Sequence, residues 1–314
     1  MDNYSSSVLP ENDKFYKHFK GLTLVNLTGP DRYLLPKHAP EVLQTLKSFK
    51  ARDDDIYVVT FPKTGTTWLQ EIVYLIMNDV DCEKAKSTTR DRVFPYLEMN
   101  MMELPPEFQL NEVDSVENLP SPRLIKSHLP YCLLPPEAVA KKSKFLYVSR
   151  NAKDTMISYF HFALNIFWMK FQGDLNDFAE LFLEGKIPFA PYIPHVKEFW
   201  EHRHDSNVFF TTYEALKQNQ EPIIGEIAKF LNKPLTDGQI KTIANHCNFD
   251  NMKHNAGANK ANWNEQGFLA NKDFKFMRKG IVGDCKNHMS PELIAKFDKW
   301  IIEQTGGSDV KDIM

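Results

Sequence analysis

The sequence predicts a single α/β domain in which helices flank a central parallel sheet. Four short runs rich in β-branched and aromatic residues alternate with longer stretches whose apolar residues recur at helical spacing, as a parallel sheet requires. The 314 residues are 42% hydrophobic and 25% charged, which is usual for a globular protein. We expect residues 1–314 to form this one domain, with residues 1–50 packed on it as an irregular lead-in.

Residues 55–77 predict a strand, a tight turn and a helix. Residues 56–61 are a β-branched and aromatic run too short for a helix, and Pro62 ends the strand because proline has no N–H to pair. The unpaired N–H groups at the helix start, together with Lys63 and the threonines around Gly65, indicate a phosphate-binding strand-loop-helix. A strand-turn-helix without a ligand is the alternative interpretation of this stretch alone.

Weaker patterns surround this stretch. The lead-in predicts one short helix near Glu41–Phe49. Residues 79–122 are broken by five prolines and form either a lid or substrate wall, or a plain surface excursion. Further strands are predicted at 123–128, 144–150 and 208–212, a loop at 255–280, and helices at 152–168, 174–183, 191–202, 222–231, 236–246 and 290–303. The aromatic residues of 152–168 fit either the core or a substrate pocket.

Each of the four predicted strands ends in side chains suited to anion or proton chemistry. These are Lys63 after the first strand, Lys126 and His128 at the second, Arg150 at the third and Tyr213 after the fourth. A single histidine or lysine is more often a solvated surface residue. Ligands of parallel sheets bind outside the carboxyl ends of the strands, however, so four such endings predict one site.

Charge and cysteine content restrict the partners. The net charge of −3 gives no reason to expect nucleic acid as a partner, and no apolar run approaches the roughly 20 residues that cross a bilayer. The N-terminal residues show no basic and apolar signal segment. The four cysteines are scattered, without metal-ligand spacing. We therefore expect a cytoplasmic protein that binds no membrane and no metal.

Four motifs resemble those of the cytosolic sulfotransferases, which use 3′-phosphoadenosine 5′-phosphosulfate (PAPS). They are TFPKTGTTW at 60–68, KSHLP at 126–130, YVSRNAKDTMISYFHF at 147–162 and FMRKGIVGDCKN at 276–287. The resemblance extends from about Gly21 to the end. It implies one α/β domain that transfers a sulfuryl group from PAPS to a hydroxyl or amine of a small lipophilic phenol, alcohol or amine, with the desulfated nucleotide (PAP) as product.

The resemblance also implies roles for individual residues. His128 matches the catalytic base, Lys126 a transition-state stabiliser and Lys63 a catalytic contact to the phosphosulfate. Trp68, Tyr213 and Phe249 match the adenine pocket. The matching nucleotide-binding set is Lys63, Thr64, Gly65, Thr66, Thr67, Trp68, Arg150, Ser158, Tyr213, Cys247, Asn248, Phe249, Phe276, Met277, Arg278, Lys279 and Gly280. Arg150, Ser158 and Arg278–Gly280 correspond to the 3′-phosphate site.

These residue types suit sulfuryl transfer. The acceptor hydroxyl must lose a proton, for which a neutral histidine is a natural base. A phosphate oxygen gains charge as it leaves, and a lysine there stabilises it as an oxyanion hole does. Because a sulfuryl group carries less charge than a phosphoryl group, we expect lysines and backbone dipoles to suffice without Mg²⁺.

Three departures from the family pattern are visible. Cys247-Asn248-Phe249 replaces the usual Thr-Ser-Phe, which removes two hydroxyl donors, and Cys285 replaces a tryptophan. Pro291 and Ala295 replace the valine and glutamate of the family's short dimerisation segment. We therefore expect a monomer or a weak homodimer.

Two other functions compete with the sulfotransferase hypothesis. A nucleoside-phosphate kinase would require a lysine after the second glycine of its loop and a Mg²⁺ ligand, and neither is found here. A non-catalytic relative could bind PAPS or another ligand on the same fold, although Lys63, Lys126 and His128 are all present. The identity of the acceptor is not encoded in any motif that we recognise.

Overall fold

A computed structural model describes residues 5–27, 32–104 and 116–314. Within these ranges seven strands form one antiparallel and one parallel sheet. The strands are β1 Ser6–Val8, β2 Leu24–Leu27, β3 Leu34–Pro36, β4 Ile56–Val59, β5 Leu124–Ser127, β6 Lys144–Ser149 and β7 Val208–Thr212.

Helices connect the strands and cover the parallel sheet. They are α1 Lys14–His18, α2 Ala39–Leu46, α3 Thr66–Met77, α4 Cys82–Ser87, α5 Arg90–Val93, α6 Pro136–Ala140, α7 Ala152–Asn165, α8 Leu175–Leu183, α9 Tyr192–Glu201, α10 Tyr213–Gln218, α11 Gln220–Phe230, α12 Asp237–His246, α13 Phe249–His254, α14 Asn262–Glu265 and α15 Pro291–Thr305. In the described part of the chain no helix is both long and apolar enough to cross a bilayer.

The central sheet confirms the predicted fold class. Its four strands run parallel in the order β5-β4-β6-β7. Alternate residues of β4 enter two separate hydrophobic clusters, Tyr57 on one face of the sheet and Val58 on the other. Burying such a side chain contributes about 1.5–3 kcal/mol, which explains why β4 is apolar on both faces rather than alternating.

The prediction of an irregular lead-in was wrong. Strands β1, β2 and β3 pair as an antiparallel sheet with β2 in the middle, and Phe15 and Phe19 of the α1 region are buried in the same cluster as Tyr57. Strand β1 is mainly serine, Asn26 interrupts β2 and Pro36 ends β3, so none of them shows the continuous apolar run that marks β4. The predicted helix near Glu41–Phe49 is α2, which begins and ends slightly earlier.

Two segments with weak hydrophobic periodicity, the wall segment and the cover segment, contribute side chains to the cavity described below. The wall segment, residues 79–104, contains α4 and α5, whereas the prolines at 105 and 106 lie outside the described residues. The cover segment, residues 255–280, contains the short helix α14 in place of the predicted continuous loop. Leu269 of the cover segment forms an isolated antiparallel β-bridge with Ile166. Helix α7 has already ended at Asn165, three residues before the predicted end at residue 168.

Candidate active site

A cavity of about 640 Å³ opens at the carboxyl edge of the parallel sheet. The side chains predicted at the four strand ends all line it, so their convergence is confirmed. The catalytic and nucleotide-binding residues implied by the resemblance that line the cavity are Lys63, Gly65, Thr66, Thr67, Trp68, Lys126, His128, Arg150, Ser158, Tyr213, Cys247, Phe249, Phe276, Met277, Arg278, Lys279 and Gly280.

The turn between β4 and α3 approaches the cavity through its backbone. Lys63 has φ of 75° and Gly65 has φ of 126°, and a Cβ atom on Gly65 would lie 3.2 Å from the Tyr213 ring. Helix α3 then begins at Thr66, and no side chain caps the N–H groups at its start. The turn therefore presents backbone dipoles to an anion at close range.

Two predicted nucleotide contacts lie outside the cavity wall. The Thr64 hydroxyl is buried within hydrogen-bonding distance of the carbonyl oxygens of Phe61 (2.9 Å) and Val148 (2.8 Å), so it fastens the turn to β6. The Asn248 side chain accepts the N–H of Asn251 at 2.8 Å and caps α13. Cys247, by contrast, lines the cavity.

The Lys63 amino group lies between two aromatic rings. Its Nζ lies 4.3 Å from the ring centroid of Phe162 and 4.0 Å from that of Phe276. Burial, followed by repulsion from Lys126 and Arg150, lowers the pKa of Lys63 to about 7. An anion beside this ammonium group would favour its charged form.

The His128 side chain is held in one tautomer. Its Nδ1 lies 2.8 Å from the carbonyl oxygen of Thr60, which can only accept, so Nδ1 carries the proton and Nε2 is left as the basic nitrogen. Burial, followed by repulsion from Lys126, lowers the pKa of His128 well below its ordinary value. The imidazole is therefore neutral near pH 7.

The backbone of His128 is fixed by two buried side chains that the sequence analysis missed. Glu98 accepts the His128 N–H, and it also accepts the Ser127 hydroxyl at 3.1 Å. The Nε2 of His195 donates to the His128 carbonyl at 2.9 Å, while its Nδ1 lies 2.9 Å from the Tyr147 hydroxyl. Burial raises the pKa of Glu98 to about 8. No local sequence signal links these residues to His128.

The opposite end of the cavity is cationic and aromatic. Gly280 has φ of 67° and packs against Phe249 so closely that a Cβ atom would lie 2.0 Å from its ring. The Arg150 guanidinium lies 4.3 Å from the Tyr213 ring centroid, and its Nε is buried without a hydrogen-bond partner. The Trp68 indole N–H is also buried and unpaired. These features fit a phosphorylated nucleotide whose base enters an aromatic slot.

Much of the cavity wall comes from the two weakly patterned segments. Residues 79–122 were predicted to form either a substrate wall or a plain surface excursion, and for residues 79–104 the second alternative was therefore wrong. Of the ambiguous helix aromatics, Tyr159, Phe162 and Trp168 line the cavity. The wall residues that the sequence analysis did not identify include Thr89, Asp91, Arg92, Phe94, Tyr96, Met99, Met102, Leu104, Met169, Phe189, Lys260, Asn262, Trp263, Gln266 and Phe268.

An ionic contact joins the wall segment to the cover segment. Asp91 forms an ion pair with Lys260, and its other oxygen accepts the Trp263 indole N–H at 3.1 Å. All three residues line the cavity. Because these contacts join residues that are far apart in the sequence, the hydrophobic periodicity of either segment alone does not indicate that it lines the cavity.

Known proteins share this sequence pattern. Residues 53–309 match the family model described as the sulfotransferase domain. The chain is 39% identical to the amine sulfotransferase of Oryctolagus cuniculus over 267 residues, which cover 84% of this chain and 85% of that protein. It is 36% identical to sulfotransferase 1E1 of Bos taurus over 271 residues, which cover 86% and 90% of the two chains.

Solved structures share the fold. Retinol dehydratase in a complex with retinol and PAP matches this chain with a TM-score of 0.91 at 30% identity, and the match covers 98% of each chain. The complex of retinol dehydratase with androsterone and PAP matches with a TM-score of 0.89 at 29% identity and the same coverage. Both matches include the lead-in as well as the central sheet.

Proposed function

Because this chain belongs to the sulfotransferase family, we propose that His128, Lys126 and Lys63 carry the sulfuryl transfer from PAPS to an acceptor hydroxyl. The chain is a PAPS-dependent sulfotransferase that acts on a small acceptor. One observation supports these residue assignments above all others. A neutral, oriented imidazole and two lysine side chains line a single cavity at the sheet edge.

Each of the three side chains has a distinct task. The Nε2 of His128 takes the proton of the acceptor hydroxyl, and the Thr60 carbonyl stabilises the resulting imidazolium through the Nδ1–H bond. The ammonium groups of Lys63 and Lys126 stabilise the negative charge that develops on the departing phosphate oxygen. Bound PAPS supplies the sulfuryl group and that leaving group.

The nucleotide would be held at the other end of the cavity. The N–H groups of residues 65–67 would bind the 5′-phosphate, and Arg150, Ser158 and Arg278–Gly280 the 3′-phosphate. The buried unpaired Nε of Arg150 and indole N–H of Trp68 support this assignment, because a polar ligand atom would remove the cost of leaving them unpaired.

The charges of the cavity favour a neutral acceptor over a cationic amine. Eight lysine and arginine side chains line it, whereas Asp91 is the single carboxylate among the described lining residues and is paired with Lys260. The lysines and arginines are Lys63, Arg92, Lys126, Arg150, Lys217, Lys260, Arg278 and Lys279. The phosphates of bound PAPS offset the cations at the nucleotide end, but a protonated amine also has no lone pair with which to attack sulfur, so it would first have to lose a proton in this cationic cavity. We therefore assign the acceptor as a lipophilic phenol or alcohol.

The variant His128→Ala tests the base assignment. It should reduce turnover about 10²-fold or more while changing the PAP dissociation constant less than about twofold. His204→Ala, which changes an exposed histidine remote from the cavity, is the matched control and should retain full turnover. Turnover of His128→Ala near that of the wild type would refute the assignment.

A pair of acceptors tests the charge argument. With 2-phenylethanol and 2-phenylethylamine at pH 7, kcat/KM should be at least about tenfold higher for the alcohol. The ratio should decrease toward pH 10, because the amine then loses its charge. An amine preference at pH 7 would show that the acceptor assignment is wrong while leaving the sulfotransferase chemistry in place.

Further proposals concern organisation. Residues 1–314 form one domain, supported by the shared core of Phe15, Phe19 and Tyr57. The protein works in the cytoplasm, as is expected from its four free cysteines. It is a monomer or a weak homodimer, because Pro291 and Ala295 replace the residues of the family's dimerisation segment.

A further inference from the structure

The clamp segment, residues 278–285, contains a carboxylate that the proposed reaction does not use. Asp284 is 2% exposed and forms an ion pair with the guanidinium of Arg278. Its Oδ1 lies 2.8 Å from the Lys279 ammonium and 3.0 Å from the Asn287 amide nitrogen, and its Oδ2 lies 3.2 Å from Nε2 of His288. The buried Asp284 carboxylate thus forms ion pairs with both cationic side chains of the clamp segment, Arg278 and Lys279.

Asp284 is a charged anion in this arrangement. Burial by itself would raise its pKa, but hydrogen bonds from Lys279, Asn287 and Arg278 outweigh burial and hold the pKa of Asp284 well below its ordinary range. The ion pairs with both cations are therefore present throughout the neutral range.

The two cations keep enough donors for a second anion. An arginine has five N–H donors and a lysine three, and each residue uses few of them on Asp284. Arg278 and Lys279 line the cavity, whereas Asp284 does not. A phosphate group in the cavity can thus bind the cations without displacing Asp284.

Without this carboxylate the two side chains would not stay in place. Arg278 contributes to the lowered pKa of Lys63, as does Arg150, so like charges face one another across the cavity. Both side chains are long and flexible, and repulsion would drive them toward solvent. Asp284 offsets that repulsion before any nucleotide binds.

We propose that Asp284 is a positioning residue that holds Arg278 and Lys279 ready for the 3′-phosphate and so sets the preference for a 3′-phosphorylated nucleotide. The inference rests on the proposed function, because it takes the clamp segment as the 3′-phosphate site. Asp284 acts through the two cations and touches no part of the nucleotide.

A second aspartate holds the backbone of the same segment. The two carboxylate oxygens of Asp154 accept the N–H groups of Gly283 (2.7 Å) and Cys285 (2.8 Å), which fastens the turn to the first turn of α7. The backbone path of the clamp segment therefore does not depend on the Asp284 side chain. Asp284→Asn should change the side-chain arrangement and leave the turn in place.

Calorimetric binding of PAP and of AMP, which lacks the 3′-phosphate, to the full chain tests the proposal. Arg278→Ala should weaken PAP binding about tenfold or more and AMP binding less than twofold. Asp284→Asn should weaken PAP binding about fivefold to tenfold and AMP binding less than twofold. Asp309→Asn, which removes an exposed carboxylate paired with Arg203, is the matched control and should change neither.

The double variant Arg278→Ala, Asp284→Asn separates positioning from an independent effect. Because Asp284 acts through Arg278 as well as Lys279, the loss of PAP affinity in the double variant should be smaller than the two single losses combined. Full additivity of the two losses would overturn the proposal. So would equal losses of PAP and AMP affinity in Asp284→Asn, or tighter PAP binding, which would mean that Asp284 competes with the 3′-phosphate.

Asp284→Glu guards against a variant that simply folds poorly. It keeps the charge, so its PAP-to-AMP affinity ratio should lie between those of the wild type and Asp284→Asn. A ratio no better than that of Asp284→Asn would count against positioning by charge. If Arg278→Ala itself loses PAP and AMP affinity equally, the proposed 3′-phosphate site is wrong; if Arg278→Ala behaves as expected and Asp284→Asn does not, the inference alone fails.

Discussion

The two ends of the cavity are built in different ways. The nucleotide end is formed at the ends of parallel strands and at the start of α3, where the backbone is held by the sheet and by the first turn of a helix. The acceptor end is formed by the wall segment and by residues 255–268 of the cover segment, and the helices α5 and α14 of these two stretches have four residues each. The first end therefore depends on backbone geometry and the second on side-chain packing.

This difference accounts for how each end recognises its ligand. Backbone N–H groups and charged side chains at strand ends bind phosphate, which has the same shape in every nucleotide. Aromatic and aliphatic side chains on loops shape a pocket, and loops tolerate change better than a sheet does. Donor recognition should therefore respond to small backbone changes, and acceptor recognition to the loss of side-chain volume.

Gly280→Ala should produce the largest effect and affect the nucleotide end. The new Cβ atom would lie 2.0 Å from the Phe249 ring at a backbone φ of 67°, so the ring or the clamp segment must move. We expect PAP to bind about 100-fold more weakly or worse. Gly306→Ala is the control, because its φ is 58° but no atom lies within 4 Å of the added methyl. Unchanged PAP binding in Gly280→Ala would contradict a rigid nucleotide end.

The pH dependence of PAP binding should be the next largest effect. Burial and neighbouring cations lower the pKa of Lys63 to about 7 in the free protein, and a bound phosphate raises it again, so binding above pH 7 takes up a proton. The affinity for PAP should decrease by up to about tenfold per pH unit above pH 7. Below pH 7 Lys63 is already protonated, so it should cause no further change in affinity. Calorimetry in buffers of different ionisation enthalpy measures the uptake. Lys63→Met should abolish the proton uptake. If the wild type takes up no proton on binding PAP at pH 8, the lowered pKa of Lys63 is refuted.

Trp263→Ala should affect the acceptor end alone. The indole packs near Phe268 and Phe276 at centroid distances of 5.7 and 5.5 Å, so its loss opens the pocket. We expect the KM of a phenol acceptor to rise about tenfold while the PAP dissociation constant changes less than about threefold. Trp200→Ala, which alters a tryptophan packed on Phe210 outside the cavity, should leave KM unchanged. Equal effects on PAP and acceptor would mean that the two ends are not separable.

The smallest effect is expected from Pro291 and Ala295, which lie where the family has its dimerisation segment and belong to neither end of the cavity. Pro291 is the first residue of α15, where Ser290 caps the helix by accepting the Leu293 N–H at 3.2 Å. Light scattering across a dilution series should show a monomer, or a dimer that dissociates at about micromolar concentration. A dimer that persists at nanomolar concentration would refute this. Pro291→Val with Ala295→Glu should tighten a dimer only if this segment forms the contact.

The predictable parts of the site are those with local causes. A β-branched run followed by proline, lysine and a glycine turn indicates a strand, a turn and an anion site within a few residues of one another. The parallel-sheet rule then brings Lys126, His128 and Arg150 to the same edge without further information. The lead-in sheet escaped prediction because serines, Asn26 and Pro36 leave its short strands without a continuous apolar run.

The amino-acid sequence by itself determined the fold class and which strand ends converge, because strand and helix periodicity act over a few residues and a parallel sheet aligns its carboxyl ends. Only the tertiary structure decided which side chains serve those strand ends. Glu98 and His195 fix His128 from 30 and 67 residues away, and Asp91 and Lys260 meet across 169. Such contacts are made by chain segments that become neighbours only after the core has packed, so no local pattern records them.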